Sequence, residues 1–140
     1  MTICYVMQQD EVDMAFMHPG VMLGSDGTLS EGQGHPRAAG AFPRFISRYV
    51  KSGKLSMYEA IRRMTVEPAS QLGLEHKARL NVGADADIVI FDPARIEDRA
   101  TFSEPLLPPV GIDYVIVNGV IAAKDSKILS FDSGRSIRKQ

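Results

Sequence analysis

The sequence predicts an α/β chain in two parts, helical up to about residue 75 and strand-rich beyond it. Three observations carry that reading. Apolar side chains recur at helical spacing between residues 11 and 64. A short apolar run, Val21-Met22-Leu23, breaks into Gly24-Ser25-Asp26-Gly27, as a buried strand does when its carboxyl end opens into a site. From about Arg79 the texture turns β-branched and aromatic, and Asn118-Gly119 stands between two apolar runs as a hairpin signal.

Taken in order, residues 2–7 are mostly apolar and read as the stump of a strand. Asp10 is placed to cap a helix over residues 11–17, with Val12, Ala15 and Phe16 on one face, Glu11 and Asp13 in its first turn, and Pro19 as its stop. Residues 21–23 then complete a strand, helix, strand order, one βα repeat. After a polar, glycine-rich loop, Pro43 suits a first helical position, and Phe42, Phe45, Ile46, Tyr49 and Val50 form a core-facing stripe that Gly53 closes. Ser56-Met57-Tyr58-Glu59 reads as a capping box, with Leu55 stapling onto Ala60. The apolar face behind it is Met57, Ala60, Ile61 and Met64, which leaves Arg62 and Arg63 to solvent. A third short helix is expected from Pro68 to Gly73. Beyond it, residues 88–91 predict a strand closed by Asp92-Pro93, residues 94–111 a proline-bearing wrapping loop, and residues 114–117 and 120–123 the two arms of the hairpin. Residues 127–131 can add one more strand, and a basic, loosely held tail follows.

With 140 residues, 44% of them hydrophobic, the chain can bury a core. The net charge of −1 offers no footprint for nucleic acid or an anionic membrane, and no run approaches the ~20 apolar residues of a membrane span. The single cysteine, Cys4, excludes an intrachain disulfide, fits a reducing compartment and reads as a small core residue rather than a nucleophile. The first residues lack the basic and apolar regions of a secretory signal, so a cytoplasmic location is expected.

The loop after Leu23 gathers the candidate chemistry. Asp26 sits between glycines, where a carboxylate can take a proton from water or ligate a metal, although Asp-Gly is equally a turn dipeptide. On pattern alone the two readings stay open. Arg37, eleven residues on, offers a planar fork suited to a carboxylate, or else a surface pair with Glu31. His35, held extended by Pro36, either touches substrate or pins the loop, and pinning is favoured. Asp85 and Asp87 would point to one side of a strand, as a cation site or, preferably, as turn caps. No phosphate-binding glycine loop is present.

Gly24-Ser25-Asp26-Gly27 followed by His35-Pro36-Arg37 resembles the end of the catalytic barrel in D-aminoacylases, the N-acyl-D-amino-acid deacylases of the amidohydrolase superfamily. Met64-Thr65 with Pro68-Ala69 and Leu72-Gly73-Leu74, then residues 83–93 and 115–119, agree with it in order. The resemblance implies the last βα units of an amidohydrolase TIM barrel in residues 1–75 and strands of the small β-sandwich domain in residues 76–140. A complete barrel needs ~250 residues, so the chain is expected to be a partial, fragment-like piece of a longer enzyme.

What the resemblance implies for chemistry is hydrolysis of the amide of an N-acyl-D-amino acid. A metal-bound water attacks the acyl carbonyl, Asp26 shuttles the proton, and Arg37 binds the substrate carboxylate beside His35, Ser25 and Gly27. Zinc serves the parent family, yet the His-x-His pair and bridging group of amidohydrolases are not recognisable here. His18, His35 and His76 are widely spaced and read as structural, so no metal ligand is assigned and none is expected bound by this chain alone. The isolated chain is accordingly expected to be inactive. Two alternatives stand beside this: a noncatalytic assembly module or truncated remnant, and a cyclic-amide hydrolase of the same superfamily. Without the N-terminal strands of such a sandwich the sheet edge is exposed, which predicts a homo-oligomer or strand exchange.

Overall fold

A computed structural model describes residues 6–137. The predicted strand at residues 2–7 falls mostly outside them, as does Cys4; Val6 and Met7 are irregular and exposed. Four α-helices come first, α1 (Gln9–Met17), α2 (Arg37–Phe45), α3 (Met57–Met64) and α4 (Val66–Leu72), with a small hairpin of β1 (Leu29–Ser30) and β2 (Gln33–Gly34) between the first two. Then follow β3 (Ile88–Phe91), β4 (Ile112–Val117), β5 (Val120–Lys124) and β6 (Lys127–Ile128), a four-stranded antiparallel meander in chain order. The α/β composition and the helix-then-strand order are as predicted. No helix among the described residues is long and apolar enough to cross a membrane.

The helical part is organised on three aromatic rings. Phe16 of α1 meets Phe45 and Tyr49 edge-on at centroid distances of 5.3 and 5.4 Å, and Ala60 of α3 closes the cluster. The helix around Phe45 starts earlier than predicted, at Arg37, so Pro43 lies inside it and not at its first turn. A proline there leaves a carbonyl one turn back without its usual donor, and the backbone widens into a π-helical turn, Ile46–Val50, directly after it. That widening keeps Ile46 and Tyr49 in the core, while Phe42 is half out. Gly53 takes φ +75°, the left-handed conformation expected of a residue that ends a helix.

Two expectations for α1 are corrected. The helix begins one residue before Asp10, with the Gln8 N–H donating to Glu11 Oε2 at 2.9 Å. Its inner face carries Asp13 rather than Ala15, because the Tyr49 hydroxyl and the Lys54 ammonium donate to that carboxylate at 2.8 and 2.7 Å. In α3 half of the predicted capping box forms, Ser56 Oγ accepting the Glu59 N–H at 3.1 Å, while the Glu59 carboxylate turns to Arg62 and Arg63 instead of the Ser56 N–H. Arg63, however, is not on the solvent side: it is buried, with 3% of its surface exposed. The last helix, α4, starts two residues before Pro68 and ends at Gly73.

Residues 21–23 are not a strand. Strand backbone needs hydrogen-bonded neighbours, and here the Leu23 N–H finds the Arg63 carbonyl at a helix end, 3.3 Å away. In the sheet, Asn118 and Gly119 take φ +51° and +80°, the two positive values a tight type I′ hairpin needs, and Val117 pairs with Val120 across them. The predicted strand at residues 127–131 shortens to two residues. The long loop 94–111 returns to the helices: Asp98, 5% exposed at its side chain, accepts from Arg44 Nε and Nη2 at 2.7 and 2.6 Å.

Candidate functional site

Asp26, Arg37, His35, Ser25 and Gly27 come together in one loop. The loop closes through the β1–β2 hairpin, turned by Glu31 and Gly32 at φ +53° and +75°. Glu31 stands at its tip, and Arg37 does not pair with it. Instead, Arg37 Nη2 contacts Asp26 Oδ2 at 2.7 Å and Arg37 Nε donates to the Asp26 carbonyl at 2.9 Å. One edge of the guanidinium therefore holds both ends of the aspartate, whose own φ is +46°. The Asp26 side chain is 85% exposed.

Neighbouring residues shape that contact. A Cβ on Gly27 would lie 2.6 Å from Ala38 Cα, so only glycine lets the loop approach the start of α2 this closely. Ser25 Oγ accepts the Gly27 N–H at 3.3 Å and tightens the same turn. His35 Nδ1 accepts the Arg37 N–H at 3.1 Å, and its ring meets Phe102 edge-on at 5.2 Å. Burial, helped by the positive charges of Arg37 and Arg44, holds the imidazole below its ordinary 6.5, which keeps it neutral and able to accept. In this geometry His35 pins the loop.

The remaining candidates make local contacts away from this loop. His18 Nδ1 accepts the Gly20 N–H at 3.2 Å, and His76 Nδ1 lies 3.2 Å from the Gly83 carbonyl. Asp85 and Asp87 do face the same way, but Lys77 lies between them, its ammonium 2.9 Å from Asp85 and in contact with Asp87. Asp87 Oδ1 also accepts the Asn118 N–H at 2.8 Å, which makes the pair an anchor for the hairpin. A cleft of about 770 Å³ adjoins that cluster, lined by Leu72, Leu74, His76, Lys77 and Arg135, away from the Asp26 loop. Lys77 and Arg135 both pair there with Asp85.

The family model described as "Amidohydrolase family" matches residues 18–123, a span that contains every residue of this loop. The chain belongs to the amidohydrolase family. Among amidohydrolase relatives, the N-acyl-D-glutamate deacylase of Alcaligenes xylosoxydans xylosoxydans is 43% identical over 118 residues, 84% of this chain and 24% of that protein. An N-acyl-D-glutamate deacylase structure from Bordetella bronchiseptica, complexed with zinc and a phosphonate mimic of the tetrahedral intermediate, is 44% identical. It superposes with a TM-score of 0.78, over 83% of this chain and 25% of that one. A D-aminoacylase crystal structure superposes with a TM-score of 0.86 at 34% identity, over 92% of this chain and 27% of that one. This amidohydrolase chain thus spans about a quarter of the length of the relatives it matches. Among its described residues, no group of three or more His, Cys, Asp or Glu side chains could hold a metal ion. The donor set among these residues does not fit zinc.

Proposed function

We propose that this chain is the C-terminal segment of a deacylase that cleaves the amide of N-acyl-D-amino acids, comprising the last βα units of its barrel and strands of its small β-sandwich. The observation that supports the reading most directly is the Asp26–Arg37 pair, in a chain of this family. The Asp26 carboxylate accepts a proton from the water that adds to the acyl carbon. It returns that proton to the amine nitrogen as the C–N bond breaks, so the products are a carboxylate and a free D-amino acid. Arg37 holds the substrate carboxylate through paired N–H donors, as a planar guanidinium can and an ammonium cannot. His35, neutral, keeps Arg37 in register through its main chain, and Ser25 and Gly27 shape the turn beneath. Alone, the chain supplies a base and an anchor without the rest of a site.

The test is a chimera in which residues 18–123 replace the matching segment of the N-acyl-D-glutamate deacylase. Hydrolysis of N-acyl-D-glutamate by the chimera, and a fall in kcat on the order of 100- to 10,000-fold on Asp26→Asn, are expected. An Asp26→Asn chimera as active as its parent would refute the assignment. The 140-residue chain by itself, reconstituted with zinc, is expected to show no turnover; measurable hydrolysis would show that it carries a complete site.

A further inference from the structure

Arg63 is a buried cation with no part in the proposed proton transfer, and its bonds lead toward Asp26. Its side chain is 4% exposed. Nε donates to Glu59 Oε1 at 2.7 Å within α3, and Nη1 donates to the carbonyls of Phe16 and His18 at 2.6 and 3.0 Å. Those carbonyls lie at the carboxyl end of α1, whose last turn has no basic residue of its own. Helix ends leave carbonyls without intrahelical donors and carry partial negative charge, so a cation reaching across from α3 answers both needs. On its other side, the Arg63 carbonyl accepts the Leu23 N–H. One residue thus grips the chain before and after the Pro19-Gly20 turn, three residues short of Asp26.

We propose that Arg63 is a positioning residue for Asp26: it fixes the height at which residues 18–26 leave α1, and so where the carboxylate is presented. The inference rests on the reading of Asp26 as proton carrier. Stability alone does not call for a buried guanidinium, since apolar residues of similar volume often serve as well. Reaching a carboxylate in α3 and two carbonyls at the end of α1 together calls for several donors in a fixed fork, which lysine lacks.

The experiment is residue-resolved amide exchange on the 140-residue chain, with Arg63→Lys against Arg62→Lys. Arg62 pairs with the same Glu59 carboxylate but makes no contact with α1 among those described. Arg63→Lys is expected to speed exchange at Leu23 by about tenfold or more while α3 and α4 keep their protection; Arg62→Lys is expected to leave Leu23 unchanged. Uniform loss across the chain, no change at Leu23, or an equal effect from Arg62→Lys overturns the proposal. In the chimera, Arg63→Lys is expected to lower kcat on the order of 10- to 100-fold with KM kept; an unchanged kcat overturns it. A chimera inactive with Arg63 in place counts against the deacylase reading, and the exchange measurement then decides Arg63 by itself.

Discussion

Tyr49 and Asp13 illustrate how single groups in this chain tie stability to pH. Burial, reinforced by the Asp13 carboxylate it donates to, pushes the Tyr49 phenol up to about 12 from an ordinary 10.0. A proton held more tightly in the folded state stabilises it below pH 10, and that contribution is lost as pH rises toward 12. Asp13, held down first by Lys54, and Glu59, pulled to about 2 by Arg62 and Arg63, act at the opposite end. Their contribution is present above their ordinary 3.8 and 4.5 and is lost as pH falls through those values toward 2 and below. Urea midpoints measured from pH 2 to 12 should fall at both limits, and Tyr49→Phe should flatten the alkaline limb; an unaltered alkaline limb would refute the phenol's part. Arg37→Met in the chimera should raise KM about 10-fold or more, because a charged hydrogen bond to the ligand is removed, and should lower kcat as well, because the same side chain clasps Asp26. Equal KM values would separate Arg37 from the substrate carboxylate. Ser56 was legible in advance, since a cap acts on backbone three residues away. Asp13 and Arg63 were not: periodicity tells which side of a helix a residue occupies, but the phenol opposite Asp13 and the helix-end carbonyls opposite Arg63 belong to other elements.

Among the elements, α2 carries the sharpest steric requirement. A Cβ on Gly40 would lie 2.1 Å from Asp98 Oδ1, and Asp98 cannot swing away without losing Arg44 and the Ala100 N–H it accepts at 2.8 Å. Gly40→Ala is therefore expected to cost about 1–3 kcal/mol, despite alanine's better helix propensity. A denaturant midpoint at or above that of the parent would contradict this. Elements whose cause is local, such as β3 and the Asn118-Gly119 hairpin, could be read from sequence to within a residue or two. Residues 21–23 could not, because being a strand is a relation to neighbours and an apolar run states only its own half. The early start of α2 was hidden by Pro43, which usually opens a helix, and the Glu31-Gly32 turn inside the loop went unread although its glycine was visible. Asp26 and Arg37 were found by residue type and by resemblance; that they clasp each other was not, since eleven residues of loop can fold in many ways.

For the molecule as a whole, the meander is only partly covered, with no residue of its four strands buried. β3 and β6 are its outer strands. β6 is two residues long and begins at Lys127, both features that discourage pairing, whereas β3 is an uncharged Ile-Val-Ile-Phe run with Val89 and Ile90 about half exposed. Self-association through the β3 edge is expected. Light scattering should show a mass that grows with concentration and returns to one chain with Val89→Lys; a clean monomer at high concentration would dismiss the expectation.

The Asp98 joint bears on where this chain can be divided. Composition changes character near residue 75, which invites truncation there, yet Asp98 caps the flank of α2, and Phe102 lies against the His35 ring that steadies Arg37. A product ending at residue 75 would strip the Asp26 loop of its buttress. The smallest excisable unit that keeps Asp26 and Arg37 in register therefore runs past residue 102, and limited proteolysis should find its resistant boundary there and not at the compositional seam.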